Sequence, residues 1–146
     1  MANRHYEQFQ NSLEKKLVNI FINFDGNSTS TPILKSWNPV TAALVTAPST
    51  GYRGVTSITR NGTGDFTFKF QDNYVRLLDV SLNPLAIDGS TTPLAVGFWI
   101  KAINPTAAGG ATVRVITYLA TPGTPVDPGT NDRWYGQFTW SDSAAP

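Results

Sequence analysis

The sequence has no cysteine, one histidine and one methionine among its 146 residues. Without cysteine there is no disulfide, thiolate metal site or cysteine nucleophile, so stability has to come from packing or from association. The single histidine is His5, close to the amino terminus. A Ser-His-Asp or Cys-His arrangement needs an imidazole held by a third group, so nucleophilic catalysis of these types is a poor explanation of this sequence.

Charge is also scarce, because only 14% of the residues are charged against roughly 25% in ordinary soluble domains. The formal net charge is +1, which gives no general field toward nucleic acid or acidic membranes. We therefore expect neither as a partner, and the Thr-, Ser-, Asn- and Gly-rich surface favours packing against neighbours. The basic residues lie singly and are not interleaved with aromatic ones, as in Arg60, Lys69, Arg76, Lys101 and Arg114.

Long apolar runs are missing too. The stretch LAVGFWIKAI, residues 94–103, is far shorter than the ~20 residues that span a bilayer. Residues 1–16, MANRHYEQFQNSLEKK, lack the apolar segment of a secretory signal. We expect a soluble protein or a component of a soluble assembly.

The acidic residues fall mainly at expected turns, which favours turn-forming and capping roles over paired-carboxylate catalysis. Asp127, Asn131 and Asp132 offer oxygens to calcium but match no EF-hand spacing. Residues 61–64, Asn-Gly-Thr-Gly, lack the Lys and the long helix of a phosphate loop. The sequence thus predicts no catalytic residue, no metal site and no cofactor. The turn acids are Asp25, Asp65, Asp72, Asp88, Asp127 and Asp132.

A β-hairpin is the clearest feature that is present. Residues 55–60 are rich in β-branched side chains, and Asn61-Gly62 predicts a type I′ turn. On the returning strand Phe66, Phe68 and Phe70 alternate with polar residues, so they are expected to face the core.

A short helix is expected after this hairpin, over about residues 72–78. Asp72 is suited to cap it, and Tyr74, Leu77 and Leu78 would share one face at i, i+3, i+4 spacing. This segment would close one end of the core.

The rest of the chain reads as short strands separated by turns. Residues 15–24 fit either a helix or a strand, and their β-branched density favours a strand. Within the long connection 29–51 at most two short strands are expected, at Ile33-Leu34 and Leu44-Val45. Further strands are predicted over residues 94–103, 111–120 and 133–140, where Trp134, Phe138 and Trp140 share a face.

This succession predicts an all-β fold, a β-sandwich or small barrel that forms a single domain over residues 15–140. Residues 141–146 read as a loose tail. In residues 1–14, Tyr6, Phe9 and Leu13 are spaced for a short amphipathic helix. This segment is either packed on its own domain or an arm that docks on a neighbouring subunit.

Aromatic residues are abundant, with four Trp, five Tyr and eight Phe. Most have to fill the core, but Trp37, Tyr52, Trp99 and Tyr135 lie in loops or strand phases that do not demand burial. They are candidates for a sugar-stacking platform, which makes a carbohydrate- or receptor-binding module the alternative from another functional class.

Two stretches carry longer motifs. Residues 54–66 fit GV-x-S-[IV]-x-R-x-G-T-G-x-[YF], and after an alternating strand residues 72–78 fit D-x-Y-x-x-LL. This succession resembles one in small structural proteins of tailed bacteriophages. The later stretch 111–140, with its PVDP turn at residues 125–128, is similar to their closing hairpin. The matching residues here are Gly54, Val55, Ser57, Ile58, Arg60, Gly62, Thr63, Gly64, Phe66, Asp72, Tyr74, Leu77 and Leu78.

The resemblance implies a non-enzymatic virion component, most like a decoration or cement protein on the outside of a phage capsid. Its partners would be the major capsid protein and copies of itself in a symmetric oligomer such as a trimer. It would occupy the host cytoplasm during assembly and the capsid surface afterwards, while a tail or neck position is the alternative within the virion. Candidate contacts with subunits or capsid are Tyr6, Phe9, Leu13, Trp37, Tyr52 and Tyr135.

Overall fold

The structure is a computed structural model that describes residues 17–27, 29–38, 40–47, 54–86, 95, 97–119, 124–130 and 132–142, without the side chains of Trp37 and Ala86. Within these ranges the chain forms nine β-strands and no helix. The strands are β1 (Leu17–Asp25), β2 (Ile33–Asn38), β3 (Ala43–Thr46), β4 (Val55–Gly62), β5 (Asp65–Phe70), β6 (Arg76–Ala86), β7 (Gly97–Asn104), β8 (Thr112–Tyr118) and β9 (Asp132–Ser141). The described residues therefore include no helix long and apolar enough to cross a membrane.

The strands form two antiparallel sheets. Sheet A has the order β3-β2-β1-β9-β6, and sheet B has the order β4-β5-β8-β7. The first and last strands are neighbours in sheet A and pair continuously from Leu17 opposite Ser141 to Asp25 opposite Arg133. Both ends of the described chain are therefore fixed in the middle of the same sheet.

One core lies between the apolar faces of the two sheets. Phe24 of sheet A lies 5.5 Å from Phe68 of sheet B, measured between ring centroids. Phe138 lies 5.2 Å from Phe68 and 5.0 Å from Phe70, and Trp140 lies 5.2 Å from Phe70. Burying a large apolar side chain stabilises a fold by about 1.5–3 kcal/mol, so these aromatic contacts hold the sheets together.

Several sequence-based predictions are confirmed. The fold is all-β, and residues 17–25 form a strand rather than a helix. Phe66, Phe68 and Phe70 are buried, as their alternation predicts. The long connection contains two short strands, β2 and β3, at the predicted apolar pairs. The predicted face of β9 is buried as well, with Trp134, Phe138 and Trp140 inaccessible to solvent.

The predicted helix over residues 72–78 is wrong. The backbone N–H of Tyr74 donates to Pro105 O at 3.0 Å and that of Val75 to Ser141 O at 2.9 Å, and β6 then pairs with β9 from Arg76 onward. Hydrogen bonds to distant strands replace those that a helix would have made.

The helical face of Tyr74, Leu77 and Leu78 does not form either. Tyr74 is buried and stacks on Trp140 with a centroid separation of 4.9 Å, and Leu77 packs against the core. Leu78 is 41% exposed, at a shift in the β6–β9 register between Leu77 and Asp79. The register shift, rather than a helical repeat, decides which of these side chains points inward.

The predicted turn at Asn61-Gly62 is also wrong. Gly62 pairs with Asp65, so the hairpin loop consists of Thr63 and Gly64. Among these loop and flanking residues the positive φ belongs to Gly64, at 65°. Asn61 remains in β4, where its amide donates to the Asp65 carboxylate at 3.1 Å and to the Thr67 hydroxyl at 2.8 Å.

Strand β6 continues through Asn83 and Pro84 to Ala86, although an Asn-Pro pair commonly marks a turn. It is one of the two edge strands of sheet A, and an edge strand tolerates a proline, which has no N–H to donate. Ser141, expected in the tail, belongs to β9. The predicted arm over residues 1–14 and tail residues 143–146 lie outside the described residues.

Candidate functional surfaces

The densest polar cluster surrounds Asp65 at the start of β5. Arg114 of β8 donates to both carboxylate oxygens at 2.7 Å, in the bidentate geometry typical of Arg with carboxylate. Lys101 of β7 donates to Oδ2 at 2.9 Å, and Asn61 completes the set from β4. All four strands of sheet B thus supply one member of this cluster.

The electrostatics of this cluster keep Asp65 ionised. The Arg114 hydrogen bonds lower the pKa of Asp65 well below its ordinary range, the hydrogen bonds from Lys101 and Asn61 act in the same direction, and burial opposes them. A carboxylate held in this way does not serve as a proton donor near neutral pH. The cluster therefore acts as a structural tie across sheet B.

Two further carboxylates have the same kind of partner. Asp25 accepts hydrogen bonds from Arg133 at 2.6 and 3.0 Å, and Lys35 lies 3.3 Å from it. Asp127 accepts hydrogen bonds from Arg60 and from the backbone N–H of Gly64. These ion pairs neutralise charge locally.

Two of the three residues considered for a calcium site accept hydrogen bonds from N–H groups of the protein. Asp127 is held as just described, and Asp132 accepts hydrogen bonds from the backbone N–H of Gly129 at 2.7 Å and of Ala95 at 3.4 Å. Asn131 lies outside the described residues. In the part of the chain that the structure describes, no group of three or more His, Cys, Asp or Glu side chains is arranged to hold a metal ion.

A cleft of about 430 Å³ lies at one end of sheet A. It is lined by Val18, Asp72, Asn73, Tyr74 and Asp142. Burial, and then the charges of Asp72 and Asp142, raise the pKa of the Tyr74 phenol. The phenol is therefore neutral at ordinary pH, and the cleft presents carboxylates beside a protonated hydroxyl group.

The outer side of sheet A carries a mixed aromatic and polar surface, which we call the sheet A face. It contains outward side chains of β1, β9 and β6, and β6 lies at one edge of sheet A. A shallow depression of about 210 Å³ occupies its centre, between Phe21 and Tyr135. The face consists of Asn19, Phe21, Ser81, Asn83, Tyr135, Gln137 and Thr139, and Asn23, opposite Tyr135, lies at its border.

Sheet B exposes a different surface along its edge strand β7. Trp99 is 36% exposed and Ile103 is 45% exposed, with Ile100 also accessible. The Trp99 ring stacks on Tyr118 of β8 at a centroid separation of 5.3 Å. We call these residues the β7 surface. Trp99 lies opposite Ile116 on the outward side of sheet B, whereas Ile100 and Ile103 lie opposite the core residues Val115 and Val113, on the other side of this edge strand.

Of the predicted contact residues, Tyr135 lies on the sheet A face and is 40% exposed. Trp37 belongs to β2, and its side chain is outside what the structure describes, as are Tyr6, Phe9, Leu13 and Tyr52. The sugar-platform candidates Trp99 and Tyr135 lie on different sheets, so the structure does not bring them together.

Sequence reasoning missed Phe21, the most exposed aromatic side chain among the described residues at 63%. The signal was available, because Phe21 falls on the opposite side of β1 from Ile20, Ile22 and Phe24. The neighbours of Phe21 could not be read from the sequence, since they depend on the register that places Phe21 opposite Gln137.

Comparisons with known proteins add no relative to this description, as no family model, curated protein or solved structure matches the chain. Function is therefore proposed from these surfaces and from the resemblance noted in the sequence.

Proposed function

We propose that this chain is a non-enzymatic virion structural protein that decorates and stabilises a phage capsid. The observation that carries the proposal is the contact between the two stretches that resemble phage proteins. Arg60 and Gly64 of the first stretch both donate hydrogen bonds to Asp127 in the PVDP turn of the second. The two stretches therefore meet in one substructure, although the second is not a hairpin here, because β8 belongs to sheet B and β9 to sheet A.

The surface chemistry supports the same proposal. Asp25, Asp65 and Asp127 are each paired with basic side chains, while apolar groups such as Ile103 stay exposed on the β7 surface. A protein that covers a shell gains affinity from many weak contacts repeated by symmetry and does not need a reactive centre. The β7 surface is the proposed contact with the shell or with other copies of the chain.

For the architecture, we propose that sheets A and B form a closed β-sandwich rather than a barrel. Support comes from the ring contacts that bridge the two sheets, Phe24 with Phe68 and Phe70 with Trp140. The described pairings do not join a strand of sheet A to a strand of sheet B, as a barrel would require.

The decisive experiment asks whether the chain is present on particles. Particles of the virus that encodes it would be purified on a density gradient, and the copy number of the chain would be measured against the major shell protein by quantitative mass spectrometry. A fixed ratio set by shell symmetry supports decoration. Recovery with tails only would move the protein to the tail or neck, and absence from all particle fractions would reject a virion role.

The role of the amino-terminal segment is tested in the same assay. Deletion of residues 2–14 should lower occupancy on the shell if this segment is a docking arm. Ile103→Asp on the β7 surface is the companion variant, and it should lower occupancy whether or not the arm docks. Unchanged occupancy after the deletion would reject the arm but not decoration itself.

A further inference from the structure

We propose that the sheet A face is a binding site for a neutral carbohydrate. This goes beyond attachment to a shell, because it assigns a ligand to a surface on the sheet opposite to the β7 surface. The site is built from three adjacent strands whose registers are fixed by pairing. Gln137 lies opposite Phe21 on one side and Ser81 on the other, and Tyr135 lies between Asn23 and Asn83 in the same way.

The dimensions suit one or two sugar rings. Neighbouring strands are about 4.8 Å apart, and alternate residues on one strand are about 6.6–6.8 Å apart. Phe21 and Tyr135 occupy diagonal positions on adjacent strands, a relationship that places Cα atoms about 7–8 Å apart. The depression of about 210 Å³ lies between these two rings and the polar side chains of β6 and β9.

The aromatic rings supply the apolar half of the recognition. Phe21 and Tyr135 are 63% and 40% exposed, so their faces are open to a ligand. The C–H side of a sugar ring is apolar and packs on an aromatic ring, while its hydroxyl groups remain available at the ring edge. Exposure of both rings on one face is therefore useful for a ligand of mixed polarity.

The remaining side chains supply the polar half. Gln137 Nε2 donates to Asn19 Oδ1 at 3.2 Å and to Thr139 Oγ1 at 3.0 Å, and Asn83 Nδ2 donates to Ser81 Oγ at 3.1 Å. These bonds hold the amides in place, and within the described residues they leave Gln137 Oε1 and Asn83 Oδ1 without a donor. Amide and hydroxyl groups both donate and accept, which matches the neighbouring hydroxyl groups of a sugar.

Charge selects a neutral ligand over an acidic one. The seven side chains of the face are uncharged, and Asp79 of β6 stands at its border, opposite Thr139. At the other end Arg133 is already bound to Asp25. None of the seven side chains offers a cation to an anionic sugar, and the Asp79 carboxylate stands next to them, so neutral hexoses and N-acetylhexosamines are the favoured class.

Another protein or a second copy of the chain would be a less suitable occupant. Interface cores are enriched in large apolar and aromatic residues, whereas five of the seven side chains on this face are amides or hydroxyls. The β7 surface, with Trp99, Ile100 and Ile103 exposed, matches a protein contact better.

The test uses the purified 146-residue chain and two groups of probes. The neutral probes are lactose, maltose, cellobiose and N,N′-diacetylchitobiose, and the acidic probe is sialyllactose. Binding is followed by amide and side-chain NMR shifts, which report on single-site contacts independently of multivalency. We expect at least one neutral disaccharide to shift the side-chain amide signals of Asn83 and Gln137, with no shift from sialyllactose.

The variants locate the site. Phe21→Ala and Tyr135→Ala should each weaken binding about tenfold or more. Gln137→Leu, which keeps the size of the side chain, should do so through loss of hydrogen bonding. Trp99→Ala, the matched aromatic control on sheet B, should leave the affinity within about twofold because it lies away from the site. Thermal melting of each variant checks that it is folded.

Three results would overturn this proposal. They are no response to any neutral probe, a preference for sialyllactose, and loss of binding in Trp99→Ala with binding retained in Phe21→Ala. Sedimentation velocity adds a fourth: an oligomer that Phe21→Ala dissociates would mean that a second copy occupies the face. None of these results bears on copy number in purified particles, so failure here is distinguishable from failure of the decoration role.

Discussion

The guanidinium of Arg60 donates two hydrogen bonds to the carboxylate of Asp127, from Nε to Oδ1 at 3.0 Å and from Nη2 to Oδ2 at 2.8 Å. The backbone N–H of Gly64 donates to the same Oδ1 at 2.8 Å. Because Asp127 lies in the loop before β9, these bonds fix the hairpin turn of sheet B against a segment 67 residues from Arg60. Asp127 is thus the acceptor that organises this end of sheet B.

Substitution of Asp127 should destabilise the fold. In Asp127→Ala the buried N–H of Gly64 loses its acceptor, and the free energy of unfolding should fall by about 1–3 kcal/mol. Asp127→Asn keeps one acceptor oxygen, so its loss should be smaller. Denaturation in urea measures both, and Asp79→Ala on exposed β6 serves as the control, with an expected effect within about 0.5 kcal/mol. Equal midpoints for Asp127→Ala and Asp79→Ala would contradict a structural role for Asp127.

The two glycines of the hairpin should respond oppositely to alanine. A Cβ on Gly64 would lie 2.6 Å from Thr117 O and Val126 N, at a φ of 65°, so Gly64→Ala should cost about 1–3 kcal/mol. A Cβ on Gly62 would meet nothing within 4 Å, and Gly62→Ala should be neutral or stabilise by up to about 1 kcal/mol. Thermal unfolding compares them, and the reverse order would restore the Asn61-Gly62 turn that the sequence predicts.

The strands could be predicted from sequence where the chemistry of each face is uniform. Phe66, Phe68 and Phe70 alternate with polar residues, and Trp134, Phe138 and Trp140 keep the same phase across Gly136. A period of two is a local property that does not depend on the partner strand. For this reason the all-β class and the core of β5 and β9 follow from the residues alone.

The errors arise where a distant segment decides between local alternatives. Asn61-Gly62 and Thr63-Gly64 are both acceptable turns, and the bonds to Asp127 and Asp65 favour the second. The helical spacing of Tyr74 and Leu77 is overridden by Ser141 and Pro105, which accept the backbone hydrogen bonds of this segment. The sheet A face could not be predicted for the same reason, because the β1–β9 and β9–β6 pairings decide which side chains lie next to one another on it.

Acid should destabilise the protein through Asp65. The folded state lowers the pKa of this group below its ordinary value of 3.8, chiefly through Arg114. A carboxylate with a lowered folded-state pKa contributes stability above its unfolded-state pKa and loses it as the pH falls toward the folded-state pKa. This contribution should therefore be complete at pH 7 and decline from about pH 4 downward.

Arg114→Met tests this pH dependence, because it removes the main cause of the lowered pKa while keeping an apolar stem. The free energy of unfolding should be measured between pH 7 and pH 2. Arg114→Met should lower it most at neutral pH, and the difference from the unsubstituted protein should become smaller in acid. Arg76→Met, an exposed arginine on β6 of the other sheet, is the matched control. A gap for Arg114→Met that stays constant with pH would rule out Asp65 as the source.

Phe138 should be the most costly aromatic residue to truncate, because it links the two sheets. Its ring contacts both Phe68 and Phe70 of sheet B from β9, an interior strand of sheet A. Phe138→Ala should lower the free energy of unfolding by about 3–5 kcal/mol, whereas Phe21→Ala, whose ring is mostly exposed, should cost far less.

The same variant tests whether the sheets form one cooperative sandwich. If they share a single core, hydrogen exchange at Val115 in sheet B and at Ile22 in sheet A should accelerate together in Phe138→Ala. Acceleration confined to sheet A would mean that sheet B is stable without it, and the shared-core architecture would then be wrong. Phe138 contributes no hydrogen bond to sheet B pairing and contacts sheet B through the rings of Phe68 and Phe70, so a joint response would point to side-chain packing between the sheets as the main link.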